Sequence, residues 1–312
     1  SCAQVHTCTV VACSCSCDSM PGYKQRLGQD SPPAPQDCPV VLQQLLLLWS
    51  LGEVSASAVQ RLCHAMVLDG MRHKQVCELA SCGSWGQLPG NNSRDLVSKL
   101  SAEVKVCRAA NLKVPCQDPK SNPKLSREDT AVLLPHDLFC CLAEEYLDVF
   151  EDVMGLENVP TFWSQIRSDD PRWNGQNAQK DISTPETIPL YLHGDGVEYA
   201  DKRSAMVFSW GSLCCEEFSP QVSSLYTASF CKQAVNKDPS GVDDTFAPIW
   251  QLLKWSFEAL LTGYHPSRDH LSCPLPPGSM RARLAGKPLY QPDPSRPPFR
   301  ACLWAIVGDN EF

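Results

Sequence analysis

The sequence predicts a mixed fold, between the α+β and α/β classes, in which a small helical domain precedes an incomplete mixed sheet with helices. Apolar residues recur at helical spacing from about residue 39 to 107, and short apolar runs typical of strands begin at Ile188. Polar, proline-bearing stretches separate these regions. We therefore predict a disordered tail at 1–38, a helical domain at 39–107, a linker with one or two helices at 108–187 and a sheet domain at 188–312.

The N-terminal tail is rich in cysteine and closes with the proline-rich segment Ser31-Pro-Pro-Ala-Pro35. Cys13-Ser-Cys-Ser-Cys17, with Cys2, Cys8 and His6 nearby, offers ligands to a soft metal such as zinc. Structural zinc sites use C-x₂-C pairs rather than this C-x-C spacing. We therefore favour a disordered tail and keep a Cys-rich metal-binding protein as an alternative. The chain begins at Ser1 without a signal peptide, and we expect it to be a fragment.

Composition limits the compartment and the partners. Many of the 18 cysteines lie within helical patterns or in adjacent pairs, so we interpret them as small buried hydrophobes in a reducing, intracellular compartment. The net charge of -8 argues against a protein that coats nucleic acid nonspecifically, but it is compatible with an acidic metal site. No apolar run reaches the ~18 residues of a membrane helix, so we predict no membrane partner.

Four short helices are predicted in the helical domain. Val40 to Leu51 is apolar nearly all round, so we expect it to be buried. Ser55 is the predicted N-cap of the second helix, which ends at Asp69-Gly70. A third helix stops at Gly83, and Asn91-Asn92-Ser93 begins the fourth. Because few Lys or Arg cluster on these helices, we favour a structural or protein-binding role over DNA binding.

The linker is predicted to contain little regular structure. Residues 108–134 are polar and contain three prolines, so we interpret them as a connector. Pro135 is suited to the first position of a helix that runs to about Phe150. His136, at the start of that helix, is expected to be a cap or surface residue. Residues 165–187 are polar again and form a second linker.

The C-terminal third has the order strand, strand, strand, helix, strand. The first two strands are expected to form a hairpin, and the last is apolar throughout, which predicts a central position in the sheet. The predicted elements are the strands Ile188 to Leu192, Ala205 to Trp210 and Val222 to Phe230, the helix Phe246 to Leu261, and the strand Ala301 to Val307.

An aspartate follows both the first and the last of these strands, each time after a glycine. The element order is that of the first half of the ribonuclease H-like fold, in which the first and fourth strands lie side by side. Carboxylates at neighbouring strand ends can hold two Mg²⁺ ions about 4 Å apart for phosphoryl transfer. We therefore predict Asp195 and Asp309 as the catalytic and metal-binding residues, although a lone Gly-Asp is also a common turn. Asp201 is a rival for Asp195, Glu311 a possible assistant to Asp309, and His193 a supporting residue.

Two segments carry a resemblance to a known family. Pro189-Leu-Tyr-Leu-His-Gly-Asp195 and Gly308-Asp-Asn-Glu-Phe312 resemble the D-D-E transposase cores of large eukaryotic DNA transposons, nearest to the Plavaka-like type. Trp49-Ser-Leu-Gly-Glu-Val-Ser55, Asp69-Gly70 and Arg94-Asp-Leu96 look like a multi-copy protein family of algal protists that carries such a core. The resemblance implies a ribonuclease H-like fold with the first metal aspartate at Asp195 and the second at Asp309. The third acidic residue, its helix and the fifth strand do not follow, so we expect a truncated core.

The predicted function is therefore that of a transposase-derived protein with a truncated Mg²⁺-dependent core for DNA strand cleavage and transfer, inactive as it stands. Mg²⁺ is the expected cofactor and DNA the expected partner. The expected compartment is intracellular, and the nucleus if DNA is bound. The alternative is a non-enzymatic helical protein-interaction protein with a degenerate C-terminal domain, which the net charge of -8 and the missing third acid favour.

Overall fold

The chain folds as a mixed α+β protein with two compact units, Ser1–Val106 and Cys107–Phe312. The structure is a computed structural model that describes residues 39–50, 53–86, 89–103, 107, 109–117, 125–174, 182–200, 203–216, 218 and 223–308. The predicted tail at 1–38, with its cysteine cluster, lies outside the described residues.

Four α-helices lie in the described part of the first unit, as predicted from their spacing and caps. They are α1 (Val40–Ser50), α2 (Ala56–Leu68), α3 (Lys74–Ala80) and α4 (Asn92–Glu103). Ser55 caps α2, because its side chain accepts a hydrogen bond from the Ala58 N–H at 3.2 Å. Gly70 follows the end of α2 with a φ of 96°, a conformation that glycine adopts without strain.

Helix α1 buries only one face, so the expectation that it is buried all round is wrong. Val40 and Val41 are 64% and 59% exposed. The opposite face packs with the other helices of the unit through Leu42, Leu45, Leu46 and Trp49. An apolar sequence therefore did not reveal which side of this helix packs inward.

The second unit begins with a β-hairpin where we predicted a polar connector. Strands β1 (Ala110–Gln117) and β2 (Leu125–Val132) pair antiparallel. Leu112 and Val114 point into the core of the unit. Pro115 lies within β1, and a proline inside a strand pattern argues against a strand in sequence analysis. Both strands of a two-stranded sheet are edge strands, in which proline is tolerated.

Three α-helices follow the hairpin among the described residues, where one or two were predicted. Helices α5 (Pro135–Glu145) and α6 (Leu147–Met154) are separated at Tyr146, whose φ of -141° is not helical. Helix α7 (Val159–Gln165) comes next. The three helices contribute to the same hydrophobic core as the sheet, including Leu138, Phe150 and Trp163. The segment predicted as a linker is thus packed into the second unit.

The main sheet contains β3 (Thr187–Ala200), β4 (Arg203–Ser212), β5 (Leu225–Cys231) and β6 (Arg300–Gly308) in the order β5-β4-β3-β6. The β3–β4 hairpin is antiparallel, as predicted. Strands β3 and β6 are parallel neighbours. In the sequence, α8 (Ala247–Thr262) and the short α9 (Met280–Leu284) lie between β5 and β6.

Strand β6 is the outermost strand of this four-stranded sheet within the described residues, not a central one. Its first half is buried, with Ala301, Cys302 and Trp304 in the core, whereas Ile306 and Val307 are exposed. Its apolar character therefore reflects burial of its first half by the helices and not pairing on both edges.

Candidate functional site

Asp195 lies within β3 and not at its end, which corrects our prediction that the strand stops there. Strand β3 continues to Ala200, and Asp195 is paired with Val207 of β4. The glycines on either side do not form a turn, since Gly194 is paired with Phe208 and Gly196 with Met206. Large side chains opposite a glycine can fill the space that the glycine leaves, so the extended conformation is retained.

The side chain of Asp195 points to the sheet face away from α8. Phe208 contacts Phe246 and Trp250 at the start of α8, with ring centroids 5.8 and 5.4 Å apart. Phe208 is paired with Gly194, and successive residues of a strand point to opposite faces. Asp195 therefore faces the other side of the sheet.

His193 shares this face with Asp195, as expected if the strand continues. Both side chains are half-buried. Farther along the same face, the Tyr191 hydroxyl hydrogen-bonds Ser224 at 2.8 Å. The Asp195 carboxylate has no hydrogen-bond or ion-pair partner among the described residues. A half-buried carboxylate without a protein cation is a group whose charge a metal ion could balance.

The second predicted ligand, Asp309, lies outside the described residues, as do Asp201 and Glu311. The described part of β6 ends at Gly308, which is paired with Gly194, the residue before Asp195. The register therefore brings the end of β6 to the level of Asp195 on β3. No group of three or more His, Cys, Asp or Glu suited to a metal ion is found within the described ranges.

A second polar cluster, which sequence analysis missed, lies between α5, α8 and α9. His136 was expected to be a cap or surface residue, but it is fully buried. Ser256 of α8 accepts the His136 backbone N–H at 3.1 Å and lies 2.8 Å from its Nδ1. Arg281 of α9 pairs with Asp137, and the His136 Nε2 lies 3.2 Å from Asp137. Trp255 contacts the His136 ring edge-on at 4.9 Å.

The environment keeps this histidine neutral. Burial, with smaller contributions from the nearby Arg281 guanidinium and His265, lowers the pKa of His136 to about 3. Its contact with Asp137 is therefore not an ion pair. Because the Arg281 guanidinium can only donate, its 3.3 Å contact with Nε2 makes Nε2 an acceptor, and we assign the ring proton to Nδ1, which donates it to the Ser256 hydroxyl oxygen. Burial also raises the pKa of Asp137, against the opposing effect of Arg281.

The Ser256, His136 and Asp137 side chains form an array that resembles a hydrolase triad in composition only. Ser256 and His136 are both fully buried. The cavity beside the histidine ring has a volume of about 10 Å³, enough for one water molecule at most. A substrate cannot reach the serine. The cluster instead holds α5 against α8 and α9 through packing and hydrogen bonds.

The described cysteines are free thiols, twelve in number. Five of them are buried: Cys63, Cys82, Cys140, Cys214 and Cys302. Burial raises the pKa of Cys302 to about 12 and that of Cys82 to about 11, so both stay protonated. These five fit the interpretation of the cysteines as small buried hydrophobes.

In the described part of the chain, every helix is too short or too polar to cross a membrane. No protein family model, no curated protein and no solved structure matches this chain.

Proposed function

We propose that the second unit carries a ribonuclease H-like core of the kind found in transposases, and that Asp195 and Asp309 bind Mg²⁺ there. The sheet order β5-β4-β3-β6 supports this proposal, because β3 and β6 are parallel neighbours separated in sequence by a helix. In the ribonuclease H-like fold, the strands that carry the first two metal ligands have this relationship.

The observation that carries the proposal is the position and environment of Asp195. Its half-buried carboxylate has no described partner, and its strand is paired with the last described residue before Asp309. Carboxylate oxygens are the hard ligands that Mg²⁺ prefers. Asp195 would hold the ion, and the ion would supply activation of the attacking oxygen in phosphoryl transfer.

DNA is the proposed nucleic-acid partner, and we expect metal binding without strand cleavage. A D-D-E core needs a third acidic ligand, and no third ligand joins Asp195 among the residues that the structure describes. With a net charge of -8 the protein repels DNA, so DNA binding at this site should depend on the bound cation.

Calorimetric titration with Mn²⁺, repeated with Mg²⁺, tests the metal site on the full chain. We expect Asp195→Asn and Asp309→Asn each to weaken Mn²⁺ binding at least tenfold. Each substitution removes the negative charge of a ligand and leaves a side chain of about the same size. Glu198→Gln is the matched control. This acid lies on the same strand but on the opposite face, paired with Ser204. Mn²⁺ binding that is equal in wild type and Asp195→Asn would contradict the proposal.

A DNA-binding assay tests the partner separately. Fluorescence anisotropy with a labelled DNA duplex should show tighter binding in Mn²⁺ for the wild type and no Mn²⁺ effect for Asp195→Asn. If Mn²⁺ binds at Asp195 but leaves DNA affinity unchanged, the metal site stands and the DNA partner is wrong.

A second candidate function, a non-enzymatic protein-interaction role, is favoured by one feature of the helical unit. Trp85 is 56% exposed and stacks on His64 of α2 with ring centroids 5.2 Å apart. Exposed tryptophans are frequent anchors in protein interfaces. An Mn²⁺ titration without site-dependent binding would favour this role over the metal site.

A further inference from the structure

An apolar cleft opens on the second unit between β4 and the start of α8. It has a volume of about 480 Å³, within the range of small-molecule sites. Its walls are formed by Met206 and Phe208 of β4 and by Phe246 and Trp250 near the start of α8. The Phe208 and Trp250 rings meet at 84°, so they form two walls at a right angle.

The cleft is separate from the proposed metal site. Met206 and Phe208 point to the α8 side of the sheet, whereas Asp195, paired with Val207 between them, points to the other side. Metal binding at Asp195 and occupation of the cleft can therefore be measured independently.

The loop that forms the rim of the cleft is held in place by its own hydrogen bonds. The Asp238 carboxylate accepts hydrogen bonds from the Ser240 N–H at 2.9 Å and the Asp243 N–H at 3.0 Å. Asp244 accepts from the backbone N–H groups of Phe246 and Ala247, at 2.7 and 3.1 Å. Because this loop is fixed before a ligand arrives, little of the binding free energy is spent on ordering it.

The rim carries one lysine without a partner among the described residues, beside two aspartates that are already hydrogen-bonded. Both rim aspartates accept backbone N–H groups. The pKa of Asp238 is lowered mainly by the hydrogen bond from the Ser240 hydroxyl and then by backbone N–H groups, so this carboxylate stays negatively charged. Lys237, also on the rim, is exposed and has no hydrogen-bond or ion-pair partner among the described residues. Lys232 adds positive charge nearby, with its Nζ 3.4 Å from the position that a Cβ would take at Gly196, the partner of Met206.

We propose that this cleft binds a small amphipathic anion, with a flat aromatic body packed against the corner that Phe208 and Trp250 form and a single negative group near Lys237. The right-angled aromatic walls suit edge-to-face contact with a planar ring. The lysine ammonium provides the opposite charge at the rim.

The test uses two fluorescent naphthalene probes of similar shape and different charge. The anionic probe is 8-anilinonaphthalene-1-sulfonate, and the neutral probe is N-phenyl-1-naphthylamine. Both should bind the wild-type chain, with energy transfer from Trp250. Lys237→Met should weaken the sulfonate about fivefold, since the lysine is exposed, and leave the neutral probe unchanged. Trp250→Ala should weaken both probes.

Two outcomes overturn the proposal: sulfonate binding that does not respond to Lys237→Met, or probe binding that does not respond to changes in the walls. If Trp250→Ala does not fold, as judged by circular dichroism, Ala247→Phe replaces it, because Ala247 lines the cleft and a phenyl ring there fills it. Ala247→Phe should then abolish binding of both probes while the thermal unfolding temperature stays near that of the wild type.

Discussion

His136 should make the stability of the second unit fall as the pH is lowered below neutrality. Its pKa drops from an ordinary 6.5 to about 3 in the folded protein, mainly because it is buried. Between these values the unfolded chain binds a proton that the folded chain does not. Stability from this histidine is therefore fully present above about pH 6.5 and is lost as the pH falls toward 3.

The size of this effect follows from the pKa difference. A fall from 6.5 to about 3 corresponds to about 5 kcal/mol in full. At pH 4.5, about 3 kcal/mol of that stability should already be lost. His265 acts in the same direction, because its pKa is also lowered by burial. Asp137 acts in the opposite direction, because its pKa is raised and its contribution is lost as the pH rises.

Urea unfolding at pH 7.5 and 4.5, followed by tryptophan fluorescence, measures the effect. All tryptophans except Trp49 and Trp85 lie in the second unit, so the signal reports mainly on that unit. The test variant is His136→Asn, whose side-chain amide can still hydrogen-bond Ser256 but cannot titrate. The loss of stability between the two pH values should be about 3 kcal/mol smaller in this variant than in the wild type.

The matched control is His270→Asn, because His270 contacts the same Trp255 ring but is half-exposed. This control should keep the wild-type pH dependence. If the free energy of unfolding depends on pH equally in wild type and His136→Asn, the buried neutral histidine is not the source of the effect.

Two further predictions concern a helix end and the thiols. Gly263 ends α8 with a φ of 78°, and a Cβ there would lie 3.0 Å from the Phe299 carbonyl oxygen. Gly263→Ala should cost about 2 to 3 kcal/mol by urea unfolding, whereas Gly286→Ala, with a φ of 75° and open space, should cost about 1 kcal/mol. Iodoacetamide at pH 8 should alkylate the exposed Cys273 long before Cys302, whose pKa is raised to about 12 by burial, as followed by peptide mass spectrometry. Equal costs at the two glycines, or equal alkylation rates at the two thiols, would contradict these expectations.

The sequence predicted local structure where local signals decide it. The helices of the first unit follow from apolar spacing and caps such as Ser55, which makes the expected bond. The antiparallel pairing of β3 with β4 was also predicted, and α8 was predicted close to its observed position. The β1–β2 hairpin was missed because Pro115 interrupts its pattern, and the break at Tyr146 was missed because its neighbours are all compatible with a helix.

Long-range partners explain what the sequence could not predict about the candidate sites. Asp195 was located from its place after an apolar run, but the length of β3 depends on pairing with β4. The burial of His136 depends on Ser256 and Arg281, which are 120 and 145 residues away along the chain. The rim of the cleft is a loop in which Asp238 and Asp244 accept hydrogen bonds from nearby backbone N–H groups. No local sequence pattern distinguishes these aspartates from exposed ones.

Metal-directed cleavage of the chain is the most direct test of the proposed divalent-cation site at Asp195. Fe²⁺ with ascorbate and peroxide generates hydroxyl radicals at a bound metal, and these cut the nearby backbone. We expect a cut close to residue 195 of the 312-residue chain, suppressed by excess Mg²⁺ and absent in Asp195→Asn. A wild-type chain that is not cut near residue 195, or an Asp195→Asn chain that is cut there equally, would contradict the proposed site.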